Sequence, residues 1–228
     1  MNKTSCAIAA ALLGLIAPMN VANADPILAP SPTLAAEWWQ WGLSVPTQQN
    51  PQLDPDGRYC MVGQRTSTWF LAGEFGGDTA TRSCSVPAGT RLFFPIANAI
   101  NFNTPKVCGQ PSTNLTVKDM RGLSKATIDG VDRLSLFVDG KNARSLVKRV
   151  QSPVFSVALP ENNVFDAQCR AARLGNVPAG VYSPAVDDGY YVLLEPLPPG
   201  KHTISYHVEG NVAGDVKYSI TVVPVLTK

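Results

Sequence analysis

The stretch from Cys60 to Ala99 constrains this chain more than any other. Three runs of strand-type residues, 67–72, 79–86 and 90–96, are separated by Phe75-Gly76-Gly77-Asp78 and by Pro87-Ala88-Gly89. Gly and Pro supply the backbone conformations of tight turns, so the pattern predicts strand, turn, strand, turn, strand. The first two runs are expected to return antiparallel as a hairpin flanked by Cys60 and Cys84. Pro95 marks an edge or strand end, because it cannot donate to a ladder. One carboxylate, Glu74, interrupts an otherwise apolar run.

The totals fit this reading. In 228 residues, 45% are hydrophobic and 16% charged, with 19 Pro and 18 Gly. The charged share is below the roughly 25% usual for soluble domains, and the turn formers favour many short strands. The formal net charge of +2 with no basic stripe gives phosphates little to bind, which argues against nucleic acid.

Residues 1–24 read as a signal peptide. Lys3 provides a positive start, 7–17 is an apolar run too short to span a bilayer, and Ala22-Asn23-Ala24 is a small-x-small cleavage site. A single domain over 25–228 is expected, secreted or periplasmic after cleavage near Ala24, with no transmembrane anchor. Four cysteines then remain in an oxidising compartment: Cys60, Cys84, Cys108 and Cys169. Of three possible connectivities, Cys60–Cys84 with Cys108–Cys169 is preferred, since the predicted hairpin brings the first pair together. No Cys-x-x-Cys and no nearby His suggest zinc, and the Asp54–Gly57 segment lacks the further ligands of a calcium loop. No metal and no cofactor are expected.

Further along, Ser31 is a candidate N-cap, Pro32 a first helical residue and Gly42 a C-terminal cap. On that helix Leu34, Trp38 and Trp41 share one face. Trp39 falls off the stripe and is the candidate for an exposed platform. A polar loop is expected over 98–112, with Asn98, Asn101 and Asn103 as candidate ligand-binding residues. Thr116-Val117-Lys118-Asp119 has the pattern of a capping box opening a second helix. From Arg133 onward the pattern is β, with a two-residue hairpin turn at Asp139-Gly140 and a meander over 189–225. On its middle strand His202, Ile204, Tyr206 and Val208 share one face, and Lys201, Thr203, Ser205 and His207 the other.

Trp38-Trp39-Gln40-Trp41, Gly63-Gln64, Trp69-Phe70-Leu71-Ala72-Gly73, Gly76-Gly77, Cys84-x-Val86-Pro87-x-Gly89, Leu92-Phe93-Phe94-Pro95 and Gly189-Tyr190-Tyr191-Val192 stand in this order. The set resembles a family of uncharacterised secreted proteins over most of the mature chain. That resemblance implies no activity and carries no catalytic residues.

No nucleophile elbow, zinc-protease helix or phosphate loop occurs. The two histidines are a core or rim residue (His202) and a solvated one (His207), poor material for a triad. Carboxylates are the remaining route to chemistry: Glu74 and Glu195 are the weak catalytic candidates, with Asp187, Asp188, Asp129 and Asp132 behind them. The expectation is a mainly β antiparallel sandwich, jelly-roll or immunoglobulin-like, with two short helices. Its expected role is a non-catalytic binding or envelope-associated module for carbohydrate or another extracytoplasmic protein. A polysaccharide hydrolase or lyase using Glu74 and Glu195, and a structural secreted protein, are the alternatives.

Overall fold

The computed structural model describes residues 29–64, 67–77 and 79–224. The signal peptide and its cleavage site lie outside the described residues. Helix α1 (Pro32–Leu43) precedes the strands β1 (Thr68–Phe70), β2 (Thr79–Pro87) and β3 (Arg91–Phe102). Helix α2 (Val117–Asp129) leads to β4 (Val131–Val138), β5 (Lys141–Asn142), β6 (Lys148–Gln151) and β7 (Phe155–Leu159). Helix α3 (Asp166–Ala171) is followed by β8 (Gly180–Leu194), β9 (Gly200–Gly210) and β10 (Gly214–Val223).

The strands form two packed sheets, a β-sandwich. The first has the order β1-β3-β8, and the far edge of β8 is taken by β6 and β7 in turn, against Asp188–Tyr191 and Gly180–Ala185. The second has the order β2-β10-β9-β4-β5. Each sheet is mixed, because β1 runs parallel to β3 and β2 parallel to β10. The expected hairpin of 67–86 therefore does not form: its two strands belong to different sheets. The Gly76-Gly77 segment instead carries the chain from one sheet to the other. The Cys60–Cys84 bridge still forms, but it ties the 50–64 loops to β2 rather than closing a hairpin. Cys108 is bonded to Cys169 on α3.

Alternation drives the packing. β2 reads exposed, buried, exposed, buried along its length, and Ala80, Cys84 and Val86 join Phe94, Val192, Ile204, Tyr206, Tyr218 and Ile220 between the sheets. Central β3 and β8 are apolar on both sides because both their faces are covered. On the outer side of the first sheet, α1 seals a second core of Phe70, Phe93, Phe155, Val157, Tyr191 and Leu193. Ser31 caps α1 through Leu34 N–H at 3.1 Å. Gly42 lies within this helix rather than capping it. A Cβ on Gly42 would come 1.8 Å from Gln52 Nε2, so the glycine marks close approach of the buried Gln52. The Thr116–Asp119 capping box opens α2 as expected. Asp139 and Gly140, at φ 50° and 73°, make the β4–β5 turn.

Position 82 on β2 faces inward, yet it is an arginine 2% exposed. Its guanidinium donates to the carbonyls of Asp54 (2.6 Å), Ala72 (2.9 Å) and Gly73 (3.0 Å) and to the Tyr218 hydroxyl (3.2 Å). A buried charge is tolerable only when fully hydrogen-bonded. Here it satisfies carbonyls of two irregular segments, 52–54 and 72–73, that no ladder reaches.

Candidate functional site

Helix α1 holds Trp39 inward. All four tryptophans are at most 5% exposed, so Trp39 is not a platform and no indole face is available to stack on a sugar. The correction has a plain cause: α1 is gripped on more than its apolar stripe. Trp38 donates to Leu71 O at 2.9 Å and Trp41 to Val62 O at 2.8 Å, while Trp39 donates to Asp187 Oδ1 at 2.7 Å. The Tyr191 hydroxyl donates to Asp187 Oδ2 at 2.9 Å and accepts from Asn98 Nδ2 at 3.1 Å. Burial pushes the Asp187 carboxyl well above the usual carboxylate range, with the Trp39 and Tyr191 hydrogen bonds opposing that rise.

The neighbouring Asp188 points to the opposite face of β8. Arg149 grips it in a bidentate pair at 2.9 Å on each oxygen, Gln151 donates to it at 3.0 Å, and Arg149 also meets Asp129 at 2.7 Å. An acid of raised pKa beside a paired carboxylate resembles an acid–base couple. Both are 1% exposed, however, and successive strand residues face apart, so no substrate can lie between them. They hold the sheet together.

The asparagine loop is also corrected. β3 continues to Phe102, which places Asn98 and Asn101 on a strand. Asn101 donates to Ser124 Oγ of α2 at 2.8 Å. Asn103, 6% exposed, donates to Leu115 O and accepts from Leu115 N–H and Gln110 Nε2. Their amides serve internal bonds rather than a ligand.

Nor do Glu74 and Glu195 converge. Glu74 accepts from Gly77 N–H at 2.5 Å and lines a small cleft with Pro95 and Asn98. Glu195 lies 3.7 Å from Arg91, with its side chain 65% exposed. Arg91 and Pro95 are four residues apart on β3, about 13 Å between backbone positions, so the two acids flank different parts of the strand. Among the described residues, no cluster of three or more His, Cys, Asp or Glu could hold a metal ion.

What the structure does bring together is the outer face of the second sheet. The registers β2–β10, β10–β9 and β9–β4 align its outward-facing side chains in rows. One row is Ser85–Thr221–Lys201, the next Ser83–Ser219–Thr203, the next Thr81–Lys217–Ser205–Phe137, and the last Thr79–Asp215–His207–Ser135. Nine hydroxyl side chains thus share one four-stranded surface. Two open grooves cross it, of about 340 Å³ over the Thr79 and Thr81 rows and about 490 Å³ over the Ser83 and Ser85 rows. The alternating Thr79, Thr81, Ser83 and Ser85 were a visible signal in the sequence. Their convergence with β9 and β10 required knowing that β2 pairs with β10.

Both histidines border this face, and each has an acceptor oxygen beside both ring nitrogens. His207 lies between two acceptors, Asp215 Oδ1 at 2.8 Å and Glu209 Oε1 at 2.9 Å. His202 lies between Asp139 Oδ2 at 2.7 Å and Pro198 O at 2.9 Å. Carboxylates and carbonyls only accept, so these surroundings favour the ring form that donates from both nitrogens. The Glu209 and Asp215 carboxylates raise the His207 pKa, and Asp139 raises that of His202. The acids of the face are thereby each matched by a basic side chain.

No protein-family model matches this chain, and no curated protein matches it.

Proposed function

We propose that the chain is an exported, non-catalytic binding module that takes a glycan on the outer face of its second sheet. The observation behind this reading is the register-aligned grid of nine Ser and Thr hydroxyls, six exposed and three half-buried, across β2, β10, β9 and β4. A hydroxyl both donates and accepts, which matches the hydroxyls of a sugar ring. An open groove fits a chain bound along its length rather than a small molecule enclosed in a pocket. The two disulfides support export, since such bonds persist in oxidising compartments. Among the described residues no helix is long and apolar enough to cross a membrane. The binding role stays with the sheet face, not with Trp39, Asn98, Asn101 and Asn103, whose polar groups are engaged internally.

The test is retention of the mature protein in affinity electrophoresis through gels containing single polysaccharides. A triple variant, Ser83→Ala, Ser219→Ala and Thr203→Val, removes one whole hydroxyl row without touching the core. Retention on at least one polysaccharide, weakened tenfold or more in the triple variant, is the expected result. Equal retention of both proteins on every gel that retards them, or no retardation on any, would overturn the reading.

A further inference from the structure

The charges on the glycan face are arranged unevenly. Asp215 and Glu209 share the His207 ring, Glu209 also lies 3.6 Å from Arg133, and Asp139 holds His202. Lys201 and Lys217, both exposed, form no ion pair among the described residues. These contacts pair Arg133, His202 and His207 with Asp139, Glu209 and Asp215, which leaves the two lysines as the basic groups without a carboxylate partner among the described residues. Lys217 stands within the face and Lys201 in its outermost row. Lys217 occupies the Thr81–Ser205 row and Lys201 the Ser85–Thr221 row. Four residues of register separate them, about 13 Å along the strands. The row between them, Ser83–Ser219–Thr203, is entirely hydroxyl.

We infer that the ligand of this face is an anionic polysaccharide, whose acid groups are read by Lys201 and Lys217 while its neutral hydroxyls lie on the Ser83–Ser219–Thr203 row. This rests on the glycan-binding reading above. A nucleic acid fits poorly, because non-specific affinity needs many phosphate contacts and this face offers two lysines without an ion pair among the described residues. A neutral glycan would leave both ammonium groups unmatched. Lysine suits the role as a point charge with three rotatable donors on a flexible stem, so it follows acid groups that are not fixed in orientation.

The experiment measures binding of the mature protein to polygalacturonate, dextran sulfate and uncharged dextran, each at 20 mM and 200 mM salt. The variants are Lys201→Gln/Lys217→Gln and Lys201→Arg/Lys217→Arg, with circular dichroism confirming the fold. The expected result is binding to polygalacturonate or dextran sulfate at least tenfold tighter than to dextran at low salt. That preference should fall with salt, disappear in the glutamine variant and persist in the arginine variant. Which polyanion binds tighter distinguishes carboxylate from sulfate recognition, and either supports the inference. Equal affinity for dextran and the two polyanions, or a glutamine variant with unchanged affinity and salt dependence, overturns the anionic assignment and leaves the glycan face standing. If none of the three is bound and no polysaccharide retards the protein in gels, both readings fall.

Discussion

At the scale of single residues, the unusual group is Asp187. Its carboxyl is buried, accepts from Trp39 and Tyr191, and has its pKa raised by desolvation. In the unfolded chain the same group ionises near the ordinary carboxylate value of about 3.9. Between that value and the raised native one, the folded state binds a proton that the unfolded state has lost. The native state's advantage is therefore complete below about pH 3.9 and is lost as pH rises toward the native pKa. Asp187→Asn removes the charge and keeps the Trp39 bond through its carbonyl, while its amide in the place of Oδ2 no longer accepts from the Tyr191 hydroxyl. Urea titrations at pH 4 and pH 8 should show the variant gaining on the wild type as pH rises. An unchanged difference between the two pH values would mean that Asp187 is ionised in the native protein. In the sequence Asp187 stands just ahead of the expected 189–225 meander, with no local mark of burial. Its burial follows from α1 docking on β8, a contact across 148 residues of chain.

Among the elements, β8 shows how a strand is specified from both sides. It pairs with β3 along one edge and with β6 and β7 along the other. Gly189 sits opposite Asn98, and a Cβ there would lie 2.7 Å from Asn98 Cβ, 2.8 Å from Ala97 O and 2.8 Å from the Tyr191 ring. One of those neighbours is backbone in a central strand and cannot yield. Gly189→Ala should cost about 1–3 kcal/mol, the usual range for overpacking a core, read as a lower urea midpoint with unchanged m-value. A loss under about 0.5 kcal/mol would show that β3 can shift at its Pro95–Ala97 irregularity. The elements legible in the sequence were those with local determinants: the Ser31 cap, the Thr116–Asp119 box, the Asp139-Gly140 turn and the alternating β9. The 67–86 hairpin was misread because a Gly-Gly segment marks a change of direction without stating where the chain goes next.

Over the whole molecule, two bridges and one buried arginine hold long irregular segments to the sandwich. Cys60–Cys84 closes 24 residues of sequence separation and Cys108–Cys169 closes 61. Loop-closure entropy assigns each about 3–4 kcal/mol, more for the longer loop. Paired Cys→Ser variants should therefore both be destabilised by this order in urea titrations, and both should keep the far-ultraviolet spectrum of the sheets. A Cys60→Ser/Cys84→Ser variant as stable as the wild type would indicate that Arg82 alone secures the 52–54 segment to β2.

Local residue order sets the class of this protein: a β-rich chain with turn punctuation, an even set of cysteines, two capped helices and two-faced strands. Each of these follows from neighbours within a few residues, where capping, turn geometry and alternation act. Only the tertiary structure decided which strands meet. The parallel pairing of β2 with β10 turns separate Ser and Thr alternations into one continuous face, and the docking of α1 takes Trp39 from solvent to a buried carboxyl. The physical reason is the same in both cases. Side-chain direction along a strand or helix is local, but what lies opposite a face depends on contacts between residues more than a hundred positions apart.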